Sequence, residues 1–317
     1  MPSFDVFASL YRLGMNIRAP LFVIGNPRSG TSLLRLMLTS HSEVVIPPEC
    51  GFIVWLHEKH ADWTLRSAQD EQARSSFLND LLDCKKFDTW GLSRSQVDAQ
   101  ILASQPKDYA ALCAVVALAY ANTQSKQVTL WGDKNNFHTQ YLAMLSDLYP
   151  SSRFVHIVRD GRDIAVSYRA VMAAASSSPY APNLSTDIRE IACEWSANVI
   201  QVGDYLSQLP ESRRLLVRYE DLVRHPKACV ENMCEWLALE YESGMLSPHL
   251  QNSGRGLEPQ ATLDWKQRTL EPVADDTVGR FRKEISAAET IEFEEVAGTA
   301  LTRFGYTATG LPYEGPS

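Results

Sequence analysis

The stretch Pro20-Leu-Phe-Val-Ile-Gly-Asn-Pro-Arg-Ser-Gly-Thr-Ser32 decides the fold, because an apolar run meets a tight turn and then an apolar helix. Leu21–Ile24 has the β-branched and aromatic residues of a buried strand, and Leu33–Leu38 continues as an apolar helix. A strand, a Gly-containing turn and a helix in this order hold anions with backbone N–H groups and the helix N-terminus. The sequence therefore predicts a phosphate-binding turn at Gly25–Ser32.

The turn departs from that of nucleotide triphosphatases at one position. The spacing from Gly25 to Gly30 is right, but Thr31 stands where such enzymes carry a lysine, and Arg28 lies inside the turn. That lysine reaches the terminal phosphates of a nucleoside triphosphate. We therefore expect a turn that holds a phosphate without ordinary ATP hydrolysis.

Strand-like and helix-like segments alternate along the chain. The predicted strands are Leu21–Ile24, Glu43–Ile46, Gln127–Trp131, Arg153–Val158 and Arg214–Tyr219. The predicted helices are Ser32–Ser40, Tyr109–Ala121, His138–Leu148, Asp160–Ala175, Asp187–Gln208, Asp275–Ser286 and Thr290–Phe304. Such alternation implies parallel strands with right-handed crossovers, so the expected fold class is α/β, a three-layer P-loop-like parallel sheet flanked by helices.

We expect one domain over residues 1–317, with a helical insertion at 51–126 and a C-terminal loop followed by helices at 243–317. The net charge of −8 argues against nucleic acid and anionic membrane as partners. The six cysteines are scattered without C-x-x-C spacing, which indicates buried free thiols in a reducing compartment. No apolar run approaches the ~18 residues of a membrane span. The predicted location is the cytoplasm.

Chemically notable residues follow the later strands. The third predicted strand runs into Trp131–Asn135, the fourth into Ile157–Tyr168 and the fifth into Val217–Leu222. Ligands of open parallel sheets bind at the carboxyl ends of strands. Arg159 and Ser167 are spaced to hold a second phosphate there. Two phosphate sites imply a nucleotide that carries phosphates at both ends of its ribose.

These motifs together resemble those of sulfotransferases that use 3′-phosphoadenosine 5′-phosphosulfate (PAPS). GNPRSGTSLLR resembles the family's 5′-phosphosulfate loop, and IVRDGRDIAVSY resembles its 3′-phosphate motif. WGDKNN, VRYEDLVRHP and TVGRFRKEI resemble the bacterial branch, which is similar to the tyrosylprotein sulfotransferases. The resemblance runs from about Pro20 to Tyr306.

The resemblance implies a role for each matching residue. The 5′-phosphosulfate would be cradled by Arg28, Ser29, Gly30, Thr31 and Ser32. Arg159 and Ser167 would bind the 3′-phosphate, and Tyr219 would line the nucleotide site. The catalytic residues would be Glu49, Lys134 and Arg28. Lys134 and Arg28 would stabilise the transferring group, and Glu49, in IPPECGF, would be the base.

The chain also departs from the Golgi tyrosylprotein enzymes. Val171 replaces an arginine of that branch, and Pro47 and Gly132 replace cysteines that flank the catalytic residues. These differences count against a peptide tyrosine acceptor. In the family, the C-terminal segment closes over the nucleotide. Lys266 lies in that segment, as do Arg268 and Arg280, and the sequence assigns no role to these three residues.

The transferred group explains the residue types. A sulfuryl group carries one negative charge and a phosphoryl group about two, so a lysine, an arginine and N–H groups can replace a metal. Asp133 and Asp160 each adjoin a basic residue, and no metal site is predicted. For Glu49 to act near neutral pH, we expect burial to raise its pKa. His138 is the alternative base, with a helix cap or the surface as its competing placement.

The predicted function is sulfuryl transfer from PAPS to a hydroxyl or amine acceptor by in-line attack. Two alternatives remain: a P-loop kinase that acts on a small molecule, and a catalytically idle nucleotide-binding module. The acceptor, whether a small molecule, carbohydrate, lipid or peptide, and the oligomeric state are left open. Three segments are expected to shape the acceptor site: Gly51–Lys126, Ala174–Thr186 and Ser243–Arg268.

Overall fold

The computed structural model describes residues 17–174 and 176–307 of the chain. Five strands of this part form a parallel sheet in the order β2-β3-β1-β4-β5. They are β1 (Leu21–Ile24), β2 (Val44–Val45), β3 (Leu130–Lys134), β4 (Arg153–Val158) and β5 (Arg214–Arg218). Helices flank the sheet, so the expected α/β class is confirmed.

Helices connect and cover these strands. In chain order they are α1 (Thr31–Thr39), α2 (Phe52–Trp55), α3 (His57–His60), α4 (Leu65–Gln69), α5 (Glu71–Asp83), α6 (Arg94–Ser104), α7 (Tyr109–Thr123), α8 (Leu142–Leu148), α9 (Gly161–Ala173), α10 (Ile188–Ser207), α11 (Tyr219–Arg224), α12 (Pro226–Leu237), α13 (Pro248–Arg255), α14 (Phe281–Glu284) and α15 (Ala287–Arg303). Short 3₁₀ helices occupy Phe87–Trp90, Asn136–Gln140, Glu211–Arg213, Ser243–Leu246, Gln260–Trp265 and Gln267–Leu270.

The predicted third strand is displaced towards the C-terminus. The prediction ended at Trp131, whereas β3 continues through Lys134 and pairs Asp133 and Lys134 with Phe22 and Val23 of β1. All five residues of β3 are buried. The apolar pattern missed this end because two charged side chains occupy buried positions, where charges are rare unless they are paired.

Several predicted helices differ from the observed ones. His138–Leu148 divides into the 3₁₀ helix Asn136–Gln140 and α8. Within Asp275–Ser286, residues 276–280 form a turn and only Phe281–Glu284 (α14) is helical. The stretch after Glu242, predicted as a loop, contains α13 and three 3₁₀ helices. Ala175, the predicted end of the helix from Asp160, lies outside the described residues.

The helix α7 lies between β2 and β3 in the chain and is buried along nearly its whole length. Asp108 caps it by accepting a hydrogen bond from the N–H of Ala111 at 2.8 Å. Every side chain from Tyr109 to Ala121 is buried, so this helix is apolar on all sides. Within the described residues, no helix has the length and hydropathy that a membrane span requires.

Parallel pairing brings the carboxyl ends of β1, β3 and β4 to one edge of the sheet. The turn after β1 and the residues after β4 therefore lie beside the end of β3. Two apolar clusters anchor this edge. One includes Leu34 and Met37 of α1, and the other contains Phe22, Trp131 and α7.

Candidate active site

A cavity of about 930 Å³ opens at this edge of the sheet. It is lined by every residue that the sequence predicted for the site except Ser29, namely Arg28, Gly30, Thr31, Ser32, Glu49, Lys134, Arg159, Ser167 and Tyr219. Ser29 is fully buried behind the turn, and its hydroxyl has no hydrogen-bond partner in the part of the chain that is described. The volume is within the range of cavities that bind whole cofactors.

The turn after β1 is shaped by backbone conformation. Arg28 and Gly30 have positive φ angles of 68° and 95°, and Gly30 is the N-cap of α1. A Cβ at Gly30 would lie 2.4 Å from the ring of Tyr219, so glycine is required by both conformation and space. The turn therefore places the N-terminus of α1 against Tyr219.

The Arg28 side chain joins two regions that the sequence treated as separate. Its Nε donates to Ser167 Oγ at 3.0 Å, and its Nη1 donates to the carbonyl of Trp265 at 2.7 Å. Burial and the neighbouring Arg159 lower the Arg28 pKa to about 10. This guanidinium therefore lies beside Ser167 and Arg159, the residues predicted for the 3′-phosphate, and the two phosphate sites stay a prediction.

Arg159, directly after β4, is held by carbonyl groups and an aromatic ring. Its Nη1 donates to the Arg28 carbonyl at 3.2 Å, and its Nη2 donates to the Thr277 carbonyl at 2.8 Å. The guanidinium carbon lies 4.5 Å from the centre of the Tyr219 ring. Its buried Nε has no partner among the described residues and is therefore a donor that an anion could use.

Glu49 and Lys134, which both line the cavity, form an ion pair. Lys134 is the last residue of β3, and its Nζ donates to Glu49 Oε1. Glu49 Oε2 accepts from Lys86 Nζ at 2.7 Å and lies 3.8 Å from Lys266 Nζ. One carboxylate therefore faces three ammonium groups.

The charges of this cluster shift the pKa values of both partners. Burial lowers the pKa of Lys134 to about 8, although Glu49 opposes the shift. Burial alone would raise the pKa of Glu49, but the ammonium groups of Lys134, Lys266 and Lys86 lower it well below its usual range. The expectation of a raised Glu49 pKa is wrong, because the sequence showed the apolar surroundings and not the three lysines.

A buried acid behind Lys266 was missed by the sequence analysis. Glu258 accepts from Lys266 Nζ at 2.6 Å, from Arg35 Nη2 at 2.7 Å and from Thr262 Oγ1 at 2.7 Å. Burial would raise the pKa of Glu258, but Lys266 and Arg35 lower it to about 2. A signal was available, since Arg35 interrupts the apolar run of α1 and a buried arginine requires a partner.

His138 is neither at the surface nor a helix cap, so both predicted placements are wrong. It is fully buried against Phe22 and Phe137, and neither ring nitrogen has a hydrogen-bond partner among the described residues. Burial lowers its pKa to about 3. His138 does not line the cavity, so the structure does not favour it as the base.

The residues Asp160, Arg162 and Asp163 hold the segment after β4 in place. Asp160 caps α9 and accepts from Arg162 Nη2 at 2.7 Å. Asp163 accepts from the backbone N–H groups of Gly279 and Phe281.

In residues 17–174 and 176–307, no group of three or more His, Cys, Asp or Glu side chains is arranged to hold a metal ion.

The structure thus has an α/β fold with a strand-to-helix turn beside a cavity lined by arginine and lysine side chains. The sulfotransferase family model matches residues 20–243, and the chain belongs to that family. Protein-tyrosine sulfotransferase A of Caenorhabditis elegans is 23% identical over 300 residues, which cover 94% of this chain and 70% of that protein. Carbohydrate sulfotransferase 4 of Mus musculus is 23% identical over 328 residues, covering 90% of this chain and 81% of that protein.

A solved structure has the same fold. The sulfotransferase domain from the curacin biosynthetic pathway superposes with a TM-score of 0.60 at 18% identity, covering 93% of this chain and 99% of that domain. The family match confirms a sulfotransferase, and it counts against the kinase alternative.

Proposed function

We propose that this sulfotransferase moves a sulfuryl group from PAPS to a hydroxyl or amine acceptor, with Lys134 and Glu49 at the reacting centre. The observation that carries the proposal is the Lys134–Glu49 ion pair, which lies in the same cavity as Arg28, Arg159 and Ser167. Arg28, Arg159 and Ser167 are thus available to bind the two ends of a bisphosphorylated nucleotide. Lys134 and Glu49 are available for the transfer step.

In the proposed reaction, the acceptor oxygen bonds to sulfur while the bond from sulfur to the 5′-phosphate oxygen breaks. The bonding electrons leave on that oxygen, and adenosine 3′,5′-bisphosphate is the second product. Glu49 takes the acceptor proton, and Lys134 stabilises the charge that develops on the leaving group. Lys134 is largely protonated at pH 7 because its pKa is about 8.

A Glu49 with a lowered pKa is a weak base, and the reaction is compatible with this. The acceptor oxygen becomes strongly acidic once it has bonded to sulfur, so its proton moves readily to a carboxylate late in the step. Glu49 is ionised at neutral pH and is therefore available to accept this proton.

The compartment and the acceptor are also parts of the proposal. The six cysteines lie within the described residues and are free, which supports a reducing compartment such as the cytoplasm. Relatives are named for protein-tyrosine and carbohydrate sulfation. Trp55 stacks on Phe137 with 5.5 Å between ring centres, and this aromatic wall of the cavity is compatible with a ring-bearing acceptor.

Transfer is tested by incubating the enzyme with ³⁵S-labelled PAPS and a panel of metabolite extracts, phenols and sugars, followed by identification of the labelled product. We expect a labelled ester or sulfamate with the wild type and at least ~100-fold less with Lys134→Met, which removes the leaving-group cation. Equal labelling with both proteins would contradict the proposed role of Lys134. The absence of any labelled product would contradict the proposed activity.

A further inference from the structure

Lys86 comes from the segment between β2 and β3 and reaches the centre of the site. It lies between α5 and the 3₁₀ helix Phe87–Trp90, with a positive φ of 73°. A left-handed conformation is unfavourable for a residue other than glycine. Lys86, which adopts this conformation, has its Nζ 2.7 Å from Glu49 Oε2. Outliers of this kind gather at functional sites.

The backbone around Lys86 is fastened to the segment that carries Glu49. Thr89 Oγ1 donates to the Lys86 carbonyl at 2.6 Å and closes the turn. Trp90 Nε1 donates at 2.9 Å to the carbonyl of Pro48, the residue before Glu49. The Trp90 ring also packs edge-to-face on Phe52, with 5.8 Å between ring centres. The turn and the Glu49 segment therefore form one packed unit.

The two oxygens of Glu49 have different partners. Oε1 accepts from Lys134, whereas Oε2 has Lys86 at 2.7 Å and Lys266 at 3.8 Å. Lys86 is therefore the closer cation to Oε2. Lys266 lies 2.6 Å from Glu258 and is held mainly by that acid. Arg28 and Asp133 also act electrostatically on this carboxylate from the turn after β1 and from β3.

We propose that Lys86 is a positioning residue for Glu49, an inference that rests on the proposed sulfuryl transfer. Lys134 is required at the leaving group during the reaction, and a carboxylate held by Lys134 alone would then be free to rotate about its side-chain bonds. Lys86 holds Oε2, so the orientation of Glu49 does not depend on Lys134. A displacement of about 1 Å in a catalytic group costs up to about 100-fold in rate.

Lys85 provides a matched control for the loss of charge. It is the neighbouring residue, it lines the same cavity, and its side chain is exposed without an ion pair to Glu49. Lys85→Met and Lys86→Met remove the same charge and leave side chains of similar length. Methionine has about the same backbone preference as lysine, so Lys86→Met adds no new strain at the positive φ.

The test compares Lys86→Met, Lys85→Met and Lys86→Arg with the wild type for transfer from ³⁵S-labelled PAPS to the acceptor identified by the labelling screen. We expect Lys86→Met to lower kcat about 10- to 100-fold without changing either KM or the affinity for adenosine 3′,5′-bisphosphate. Lys85→Met lowers kcat much less than Lys86→Met does, and Lys86→Arg restores most of the wild-type kcat. In a Glu49→Gln background, Lys86→Met has no further effect on kcat.

Three results would overturn the inference. In the first, kcat of Lys86→Met equals that of Lys85→Met. In the second, Lys86→Met raises only the acceptor KM, which would make Lys86 an acceptor-binding residue. In the third, the losses in Lys86→Met and Glu49→Gln multiply in the double variant. Each requires an active wild type, so these outcomes are distinct from a wild type without transfer, which contradicts the proposed function itself.

Discussion

Three ammonium groups surround Glu49, and they decide what this residue can do. Lys134 occupies one oxygen, and Lys86 and Lys266 face the other. Attraction to these groups outweighs the effect of burial and keeps the carboxylate ionised at neutral pH. A prediction from burial alone gave a raised pKa for Glu49. That direction is wrong, because the neighbouring ammonium groups have a larger effect on this pKa than burial has.

Removing the Glu49 charge is expected to stop transfer while leaving nucleotide binding intact. Glu49→Gln keeps the shape and one acceptor oxygen but cannot take up the acceptor proton. We expect kcat to fall at least ~100-fold, the usual lower bound for loss of a general base. The affinity for adenosine 3′,5′-bisphosphate, measured by calorimetry, serves as the folding control. Near-normal turnover would remove Glu49 from the mechanism.

The pKa of Lys134 predicts an alkaline limit to activity. Because burial lowers this pKa to about 8, raising the pH through about 8 removes the proton and with it the cation at the leaving group. We therefore expect kcat to decline above that pH in a pH–rate profile. An arginine stays protonated throughout this range. A Lys134→Arg variant with residual activity should not show this decline. If its kcat still declines above the same pH, the decline is caused by another group.

At the scale of elements, the turn from β1 to α1 depends on contact with α11. Gly30 has a φ of 95°, and a side chain there would meet the Tyr219 ring, whereas Gly91 has a φ of 65° with nothing within 4 Å of a Cβ. Gly30→Ala and Gly91→Ala should each lose roughly 1–2 kcal/mol of unfolding free energy from the left-handed conformation. Gly30→Ala alone should also displace the ring.

The functional consequence separates the two glycine variants. We expect Gly30→Ala to weaken binding of adenosine 3′,5′-bisphosphate about 10-fold or more, equivalent to about 1.4 kcal/mol, and Gly91→Ala to leave it unchanged. Isothermal titration calorimetry measures both. Equal affinities in the two variants would show that the contact between the turn and Tyr219 does not shape the nucleotide site.

Glu258 links α1 to the C-terminal segment through Arg35 and Lys266. Breaking a buried ion pair from one side costs about 3–5 kcal/mol, because it leaves uncompensated charge. Glu258→Gln should therefore lose about that amount of unfolding free energy at pH 7, measured by urea denaturation. Glu235→Gln, at an exposed position, should lose almost nothing.

The pH dependence of this loss has a definite sign. The pKa of Glu258 is about 2 in the folded protein and about 4.3 in an unfolded chain. Its contribution is complete above the unfolded value and is lost as the pH falls towards 2. The difference in unfolding free energy between wild type and Glu258→Gln should become smaller over that pH interval. A difference that does not change with pH would exclude the ionised Glu258 as its cause.

At the scale of the whole molecule, the cavity brings together cations from distant parts of the chain, including Arg28, Lys134 and Arg159. The sulfuryl group carries less charge than a phosphoryl group, so we expect these cations to suffice without Mg²⁺. Transfer from labelled PAPS should be unchanged after exhaustive treatment with EDTA. A loss of activity that added Mg²⁺ restores would contradict this expectation.

The central strands and several of the cavity-lining residues were within reach of sequence reasoning. The runs Leu21–Ile24 and Arg153–Val158 carry local patterns that identify strands, and the turn after the first run carries the pattern that predicts an anion site. The end of β3 was missed because its two charged residues interrupt the apolar pattern, and Glu49, the partner of Lys134, lies 85 residues away in the chain. Lys86 and Glu258 were missed because Glu49 and Arg35, their partners, lie 37 and 223 residues away, and such pairing leaves no local periodicity. Lys266 was given no role, although its partner Glu258 lies only 8 residues away.

The claim that a bisphosphorylated nucleotide occupies this cavity is tested most directly by calorimetric comparison of adenosine 3′,5′-bisphosphate with AMP. Charge-assisted hydrogen bonds from Arg159, Arg28 and Ser167 to the additional phosphate predict at least ~10-fold tighter binding of the bisphosphate, and Arg159→Met should remove most of this difference. If the wild type binds both nucleotides equally, the account of the site, and the sulfuryl transfer proposed from it, is contradicted.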